Sequence, residues 1–212
     1  MTRRVLQLLI GLVLYGLGCA LTIEAGLGVD PWTVFAQGVS ILTGVGIGWV
    51  TNVIGFLVLL LWIPLKQKPG VGTIANILLV GTSMQIALWI LPPVSGILAQ
   101  FGVLLGGILT VAVASGLYIG AHFGPGPRDG LMTGLHARLG WSVWLCRGIV
   151  EVTVLLAGWM LGGTVGIGTV LFAVLIGPLV HLALPLLDAR RPARERRLRI
   201  SARGTPVGPS RA

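Results

Sequence analysis

Six long apolar stretches constrain this chain more than any other feature of its sequence. They cover residues 5–23, 49–65, 71–91, 101–121, 143–161 and 166–187. Each can cross the hydrocarbon core of a bilayer, which is about 30 Å thick, as a helix rising about 1.5 Å per residue. Only 10% of the 212 residues are charged, too few to cover the surface of a soluble domain. We therefore predict an all-α, polytopic helical membrane protein with six spans.

The basic residues lie in alternate loops between these stretches. They precede the first span, follow the second and the fourth, and continue after the sixth, as Arg3, Arg4, Lys66, Lys68, Arg128, Arg138 and an Arg-rich tail. Loops 24–48, 92–100 and 162–165 contain no Lys or Arg. Under the positive-inside rule, this alternation predicts a multi-pass protein with both termini in the cytoplasm.

The chain also resembles itself when it is shifted by 96 residues. The glycines and prolines that interrupt helices then coincide, as in the pairs Gly28 with Gly124, Pro31 with Pro127 and Gly72 with Gly168. Such residues set backbone geometry, so their coincidence indicates repeated structure. We predict a first three-span repeat over 1–98, a second over 99–187 and a basic disordered cytoplasmic tail over 188–212.

The odd number of spans in each repeat has a consequence for membrane topology. Two copies of a three-span unit that follow one another must insert in opposite orientations. We therefore expect inverted repeats related by a pseudo-two-fold axis in the membrane plane. Many secondary transporters have this architecture, with a binding site at the repeat interface.

Two loops rich in helix-breaking residues follow the first and fourth spans, and they are in register under the repeat. They read GLGVDPWT and GPGPRDGL, and each leads into a short helix that is either interfacial or re-entrant. We expect the loop tips to enter from opposite faces and to bind a substrate near the midplane through Trp32, Thr33, Arg128 and Asp129. A guanidinium suits a carboxylate or phosphate. In the structural alternative, Asp129 caps a cytoplasmic helix and Arg128 is an ordinary positive-inside residue.

Arg147 and Glu151 form a second candidate site, on the fifth span. They stand at positions i and i+4 and so share one helix face. An acidic residue near the bilayer centre is costly and by default indicates function. We expect Glu151 to couple an ion or proton, tuned by Arg147, and the structural alternative is a pair that locks two helices. Their counterparts in the first repeat, Thr51 and Gly55, are uncharged.

Three stretches carry a resemblance to a known group of proteins. At AGLGVDPW, GPGPRDGL and GIGTVLFAVLIGP the chain resembles the YczE/YitT group of bacterial membrane proteins, and the YczE branch more closely. The resemblance covers roughly residues 5–187 and implies a polytopic protein of the bacterial inner membrane, in a group suspected of transport. The group carries an acid after the Pro–Trp pair, whereas this chain has Thr33 there and Asp30 before the proline.

These observations predict a secondary transporter or exporter of a small organic solute, anionic or zwitterionic, that works by alternating access. The alternative is a membrane scaffold or sensor that binds a cytoplasmic partner through the tail. No HExxH or GxSxG motif and no metal-ligand spacing occurs, so we expect no enzyme, cofactor or metal. We expect the tail to contact anionic lipid headgroups rather than nucleic acid, and we leave a homodimer open.

Overall fold

The computed structural model describes residues 1–189, which form eight α-helices. Six of them are long and apolar enough to cross a membrane, which confirms the predicted polytopic helical class. The predicted tail lies, from residue 190 onward, outside the described part of the chain. The helices are α1 (Thr2–Glu24), α2 (Pro31–Thr43), α3 (Ile47–Leu65), α4 (Val71–Ile90), α5 (Ile97–Gly120), α6 (Pro127–Leu139), α7 (Val143–Met160) and α8 (Ile167–Leu187).

The short helices α2 and α6 follow α1 and α5, as the two loops predict, and each has 13 residues. Both begin with a proline, whose fixed φ suits the first helical position. Both end at a glycine with a φ of 71°, Gly44 and Gly140, in the left-handed region that glycine favours. The N-cap residues are Asp30 and Gly126, so Asp129 is not the cap of α6 that the structural alternative supposed.

Helices α1 and α5 form an antiparallel pair at the centre of the bundle. Glycines let the two backbones approach closely, since Gly11 lies against the turn of α5 near Tyr118 and Gly18 lies against Val111. At the other end of this seam the guanidinium of Arg4 donates to the carbonyl of Ala121 at 2.8 Å. Because α1 and α5 run in opposite directions, their C-terminal ends lie at opposite ends of the bundle. The loops that follow them therefore enter from opposite ends.

Two equivalent backbone hydrogen bonds join the two halves of the chain. The N–H of Gly168 donates to the carbonyl of Leu27 at 2.8 Å, and the N–H of Gly72 donates to the carbonyl of Phe123 at 3.0 Å. A shift of 96 residues converts one bond into the other with the halves exchanged, as in an isologous two-fold interface. The predicted breaker residues Gly72 and Gly168 thus lie where one half docks onto the loop of the other.

The two halves differ in how their last two long helices pack, and we call each of these helix–helix contacts a seam. Helices α3 and α4 pack tightly: the N–H of Gly48 donates to the Gln85 side chain at 3.0 Å, and Gly81 lies against the Gly48 carbonyl. Within the described residues no comparable packing joins their counterparts, α7 and α8. A Cβ atom at Gly148 or Gly177 would have open space within 4 Å. The bundle is therefore closed along α3–α4 and open along α7–α8.

Candidate functional site

The tips of the two loops meet halfway along the bundle. A guanidinium nitrogen of Arg128 donates to Asp30 Oδ1 at 3.2 Å, and the guanidinium lies 5.1 Å from the centre of the Trp32 ring. Trp32 packs against Ile54 and Val58, near the middle of α3. Helices α2 and α6 thus start inside the bundle and run back outward.

The ion pair between the tips is largely buried. The Asp30 side chain is 5% exposed and that of Arg128 is 26% exposed. An arginine guanidinium stays protonated in proteins, and the Asp30 carboxylate provides its counter-charge. The guanidinium therefore stays charged, and the pair is a fixed dipole between the two halves of the chain.

Thr33, three residues further along the chain, holds the Asp30 side chain in place. Its carboxylate accepts the backbone N–H of Thr33 at 3.3 Å and also accepts the Thr33 hydroxyl. Thr33 is buried and does not line the cavity described next. The structure thus gives Thr33 a position behind Asp30, where it orients that carboxylate, rather than a position against a solute.

A cavity of about 470 Å³ surrounds the ion pair. All eight helices contribute to its wall. Most of the lining residues form pairs related by the 96-residue shift, namely Asp30 and Gly126, Pro31 and Pro127, Trp32 and Arg128, Ala36 and Met132, Thr51 and Arg147, Gly55 and Glu151, Asn76 and Phe172, Ile77 and Ala173, Val80 and Ile176, and Gly81 and Gly177. The cavity thus lies between the two halves of the chain, with paired positions but unequal side chains.

The second candidate pair lies on the α7 wall of this cavity. The Nε–H of Arg147 donates to Glu151 Oε1 at 2.8 Å. The two side chains are 53% and 31% exposed, because they stand beside the open α7–α8 seam. The structure therefore brings Arg147 and Glu151 to the same cavity as Trp32 and Arg128, although 19 residues separate Arg128 from Arg147 along the chain.

Asp129 reaches the cavity beside two tyrosines. The Tyr118 hydroxyl donates to Asp129 Oδ2 at 2.9 Å. The rings of Tyr15 and Tyr118 meet edge to face, with centroids 6.0 Å apart. All three residues line the cavity. Asp129 thus contacts a buried hydroxyl group, and its other carboxylate oxygen accepts no hydrogen bond from residues 1–189.

Sequence reasoning missed Asp30, Tyr15 and Tyr118 as members of the site. Asp30 had a usable signal, because an Asp directly before Pro is typical of a helix N-cap. The tyrosines are the only two in the chain, yet each stands alone in an apolar helix and belongs to no motif. Among residues 1–189, no group of three His, Cys, Asp or Glu side chains is arranged to hold a metal ion.

Comparison with known proteins gives one family and several relatives. The family described as a family of unknown function (DUF6198) matches residues 2–185. An uncharacterized protein of Haemophilus influenzae is 42% identical over 185 residues, covering 87% of this chain and 84% of its own. The uncharacterized membrane protein YczE of Bacillus subtilis is 33% identical over 177 residues, or 82% of each chain. The uncharacterized protein YyaS of the same organism is 24% identical over 195 residues, 89% of this chain and 96% of its own. No solved structure matches significantly.

Proposed function

The chain belongs to the family of unknown function DUF6198, and we propose that it is a secondary transporter of a small organic solute. Six apolar helices and the similarity to the membrane protein YczE make it a multi-pass membrane protein. The observation that carries the proposal is the cavity of about 470 Å³ between the two repeats. This volume suits a small organic molecule, and its place between broken helices is where many secondary transporters bind their substrates.

We propose that the two repeats, 1–98 and 99–187, lie in opposite orientations in a bacterial inner membrane, with both termini in the cytoplasm. The alternation of basic loops supports this orientation. The antiparallel α1 and α5 support it too, because these helices are counterparts under the repeat. Arg128 and Trp32, at the meeting point of the loop tips, are the proposed solute contacts.

The unequal seams suggest how access to the cavity alternates. In the proposed opposite state α7 and α8 approach each other, with Gly148 facing Gly177, while α3 and α4 separate. The closed α3–α4 seam contains a buried Asn52 Oδ1 without a hydrogen-bond partner in the described structure. The same side chain donates to the Thr82 hydroxyl at 3.0 Å. In the proposed opposite state this hydrogen bond is broken.

Glu151 is the residue we propose for ion coupling. It stands on α7 beside the open seam, where closure would enclose a side chain that is now 31% exposed. Binding of a cation or proton at this carboxylate and movement of α7 are then linked, because each state offers the carboxylate different surroundings.

We expect Glu151→Gln to abolish coupled transport without unfolding the protein. Glutamine keeps the size of the side chain and an oxygen that can accept the Nε–H of Arg147. Flux into proteoliposomes and the melting temperature should be measured on the same preparation. Transport at the parent rate in this variant would rule out the coupling role.

Binding of a solute is the direct test of the proposal. The purified protein is screened by thermal unfolding against amino acids, organic acids, vitamins and amines at two pH values. A solute that binds only the native state raises the melting temperature. We expect at least one compound to do so, to lose its effect with Arg128→Ala and to be transported in proteoliposomes. No shift by any compound, with no flux, would contradict a transporter.

The alternative function is a scaffold or sensor that recruits a cytoplasmic partner through the tail. It is favoured by the concentration of arginine after Leu187, where eight of the fifteen basic residues lie. Deletion of residues 190–212 separates the two functions. A scaffold loses its partner on deletion, whereas a transporter keeps its flux.

A further inference from the structure

The charged side chains that line the cavity do not balance. Two are cationic, Arg128 and Arg147, and three are carboxylates, Asp30, Asp129 and Glu151. Arg128 pairs with Asp30 and Arg147 pairs with Glu151. Asp129 therefore has no ion-pair partner among residues 1–189, and the empty cavity carries one excess negative charge when all five groups are ionised.

One aromatic side chain contacts this carboxylate, and two more line the same cavity. The Tyr118 hydroxyl donates to Asp129 at 2.9 Å, and the ring of Tyr15 lies edge to face with that of Tyr118. Trp32 adds a third aromatic ring to the cavity wall. Aromatic faces attract cations through their quadrupoles, most strongly where water is excluded, and substituted ammonium groups are well recognised in this way.

Asp129 directly follows Arg128 in the chain, but neither arginine forms an ion pair with it. The Arg128–Asp30 pair joins the two loop tips, and Arg147–Glu151 joins two turns of α7. Neither guanidinium is needed to neutralise Asp129, because each already has a carboxylate within 3.2 Å. A charge that enters the cavity beside Asp129 must therefore be positive if the enclosed site is to be neutral, because isolated charges are costly in a low-dielectric interior.

We propose that Asp129 binds a positively charged amino or substituted ammonium group of the transported solute. This inference rests on the proposed transport function and narrows its substrate class. The solute carries at least one cationic nitrogen, as an organic amine or a zwitterion does, and a purely anionic solute is not a substrate. The aromatic rings of Tyr15 and Tyr118 surround the apolar substituents of that nitrogen.

Matched probes of one shape test the charge requirement. Calorimetric titration of the full-length protein in lipid nanodiscs compares choline with its neutral analogue 3,3-dimethyl-1-butanol and with the anion 3,3-dimethylbutanoate, and n-butylammonium represents primary amines. We expect at least one of the two cations to bind, with the neutral and anionic probes at least about tenfold weaker. Each titration is done at two pH values.

Two variants assign the binding to one carboxylate. Asp129→Asn keeps the size of the side chain and an oxygen for the Tyr118 hydroxyl, and it should weaken binding of the cation at least about tenfold. Glu24→Gln removes one negative charge from a residue that does not line the cavity, and it should leave binding unchanged. Thermal unfolding of both variants confirms that they are folded.

Several results would overturn the inference while leaving transport intact. They are equal binding of the neutral probe and the cations, cation binding that survives Asp129→Asn, and a transported solute from the wider screen that lacks a cationic nitrogen. If Asp129→Asn changed only the pH dependence of transport and no cation bound, the ligand of Asp129 would be a proton. That result would also overturn the inference. Failure of every probe and of the wider screen contradicts the transport function itself.

Discussion

Gly81→Ala is expected to destabilise the protein by about 2–3 kcal/mol, whereas Gly177→Ala, the same change at the equivalent position of the second repeat, leaves stability within about 1 kcal/mol of the parent. A Cβ atom at Gly81 would overlap the carbonyl of Gly48 and the side chain of Asn52. One at Gly177 would meet nothing within 4 Å. The difference arises because α3 packs against α4 while α7 stands away from α8.

The measurement is thermal unfolding of both variants in the same detergent and lipid. Gly81 and Gly177 are counterparts under the 96-residue shift, so the two substitutions are closely matched in helix propensity. They differ in how tightly the neighbouring helix packs against each position. Equal destabilisation by the two substitutions would mean that α7 and α8 pack as α3 and α4 do. Equal tolerance would mean that the α3–α4 seam is loose.

Asp30→Asn is expected to destabilise the protein by about 3 kcal/mol, because it removes the carboxylate that pairs with the largely buried guanidinium of Arg128, although Asp129 remains nearby. The asparagine keeps an oxygen that can accept the N–H of Thr33, so the helix cap of α2 survives and the loss reports the charge. The corresponding change on α7, Glu151→Gln, should cost less, because its partner Arg147 is 53% exposed and lines the cavity.

A double variant provides the control for this prediction. Asp30→Asn combined with Arg128→Gln removes both charges and should recover much of the lost stability, since no unpaired ion then remains inside the bundle. Unfolding of the two single variants and the double variant completes a double-mutant cycle. A double variant that is less stable than either single variant, with additive losses, would show that the two groups do not interact.

The helices and their ends were largely predictable from the sequence. Apolar length defined the six spans, and the prolines at 31 and 127 marked where α2 and α6 begin, because proline suits the first helical position. The glycines at 44 and 140 mark where those helices end. These signals are local, so they can be read without knowing how the helices pack.

The contacts inside the cavity were harder to predict from the sequence. The repeat aligned Trp32 with Arg128, but the pairing of Arg128 with Asp30 depends on how far the two tips reach past each other. Tyr15 and Tyr118 lie in apolar helices whose rotation about their axes is set by glycine packing between α1 and α5. No short sequence pattern encodes either quantity.

One sequence difference explains the open α7–α8 seam, but its meaning is clear only once the structure is known. Trp144 stands where the first repeat has Gly48, and the missing Cβ of Gly48 is what lets α3 approach α4. The Trp144 side chain is instead 81% exposed. Because a side chain of this size replaces the missing Cβ of Gly48, we expect Trp144→Ala to let α7 approach α8 more closely.

Cross-linking of the seam in proteoliposomes tests the central claim of alternating access most directly. Gly148→Cys and Gly177→Cys are introduced together after the native Cys19 and Cys146 have been replaced by alanine, and flux of the bound solute is measured before oxidation, after oxidation and after reduction. We expect a disulfide to form within one chain and to stop the flux, and we expect the flux to return on reduction. Flux that continues at the parent rate with the seam cross-linked, or cysteines that never form the bond, would contradict it.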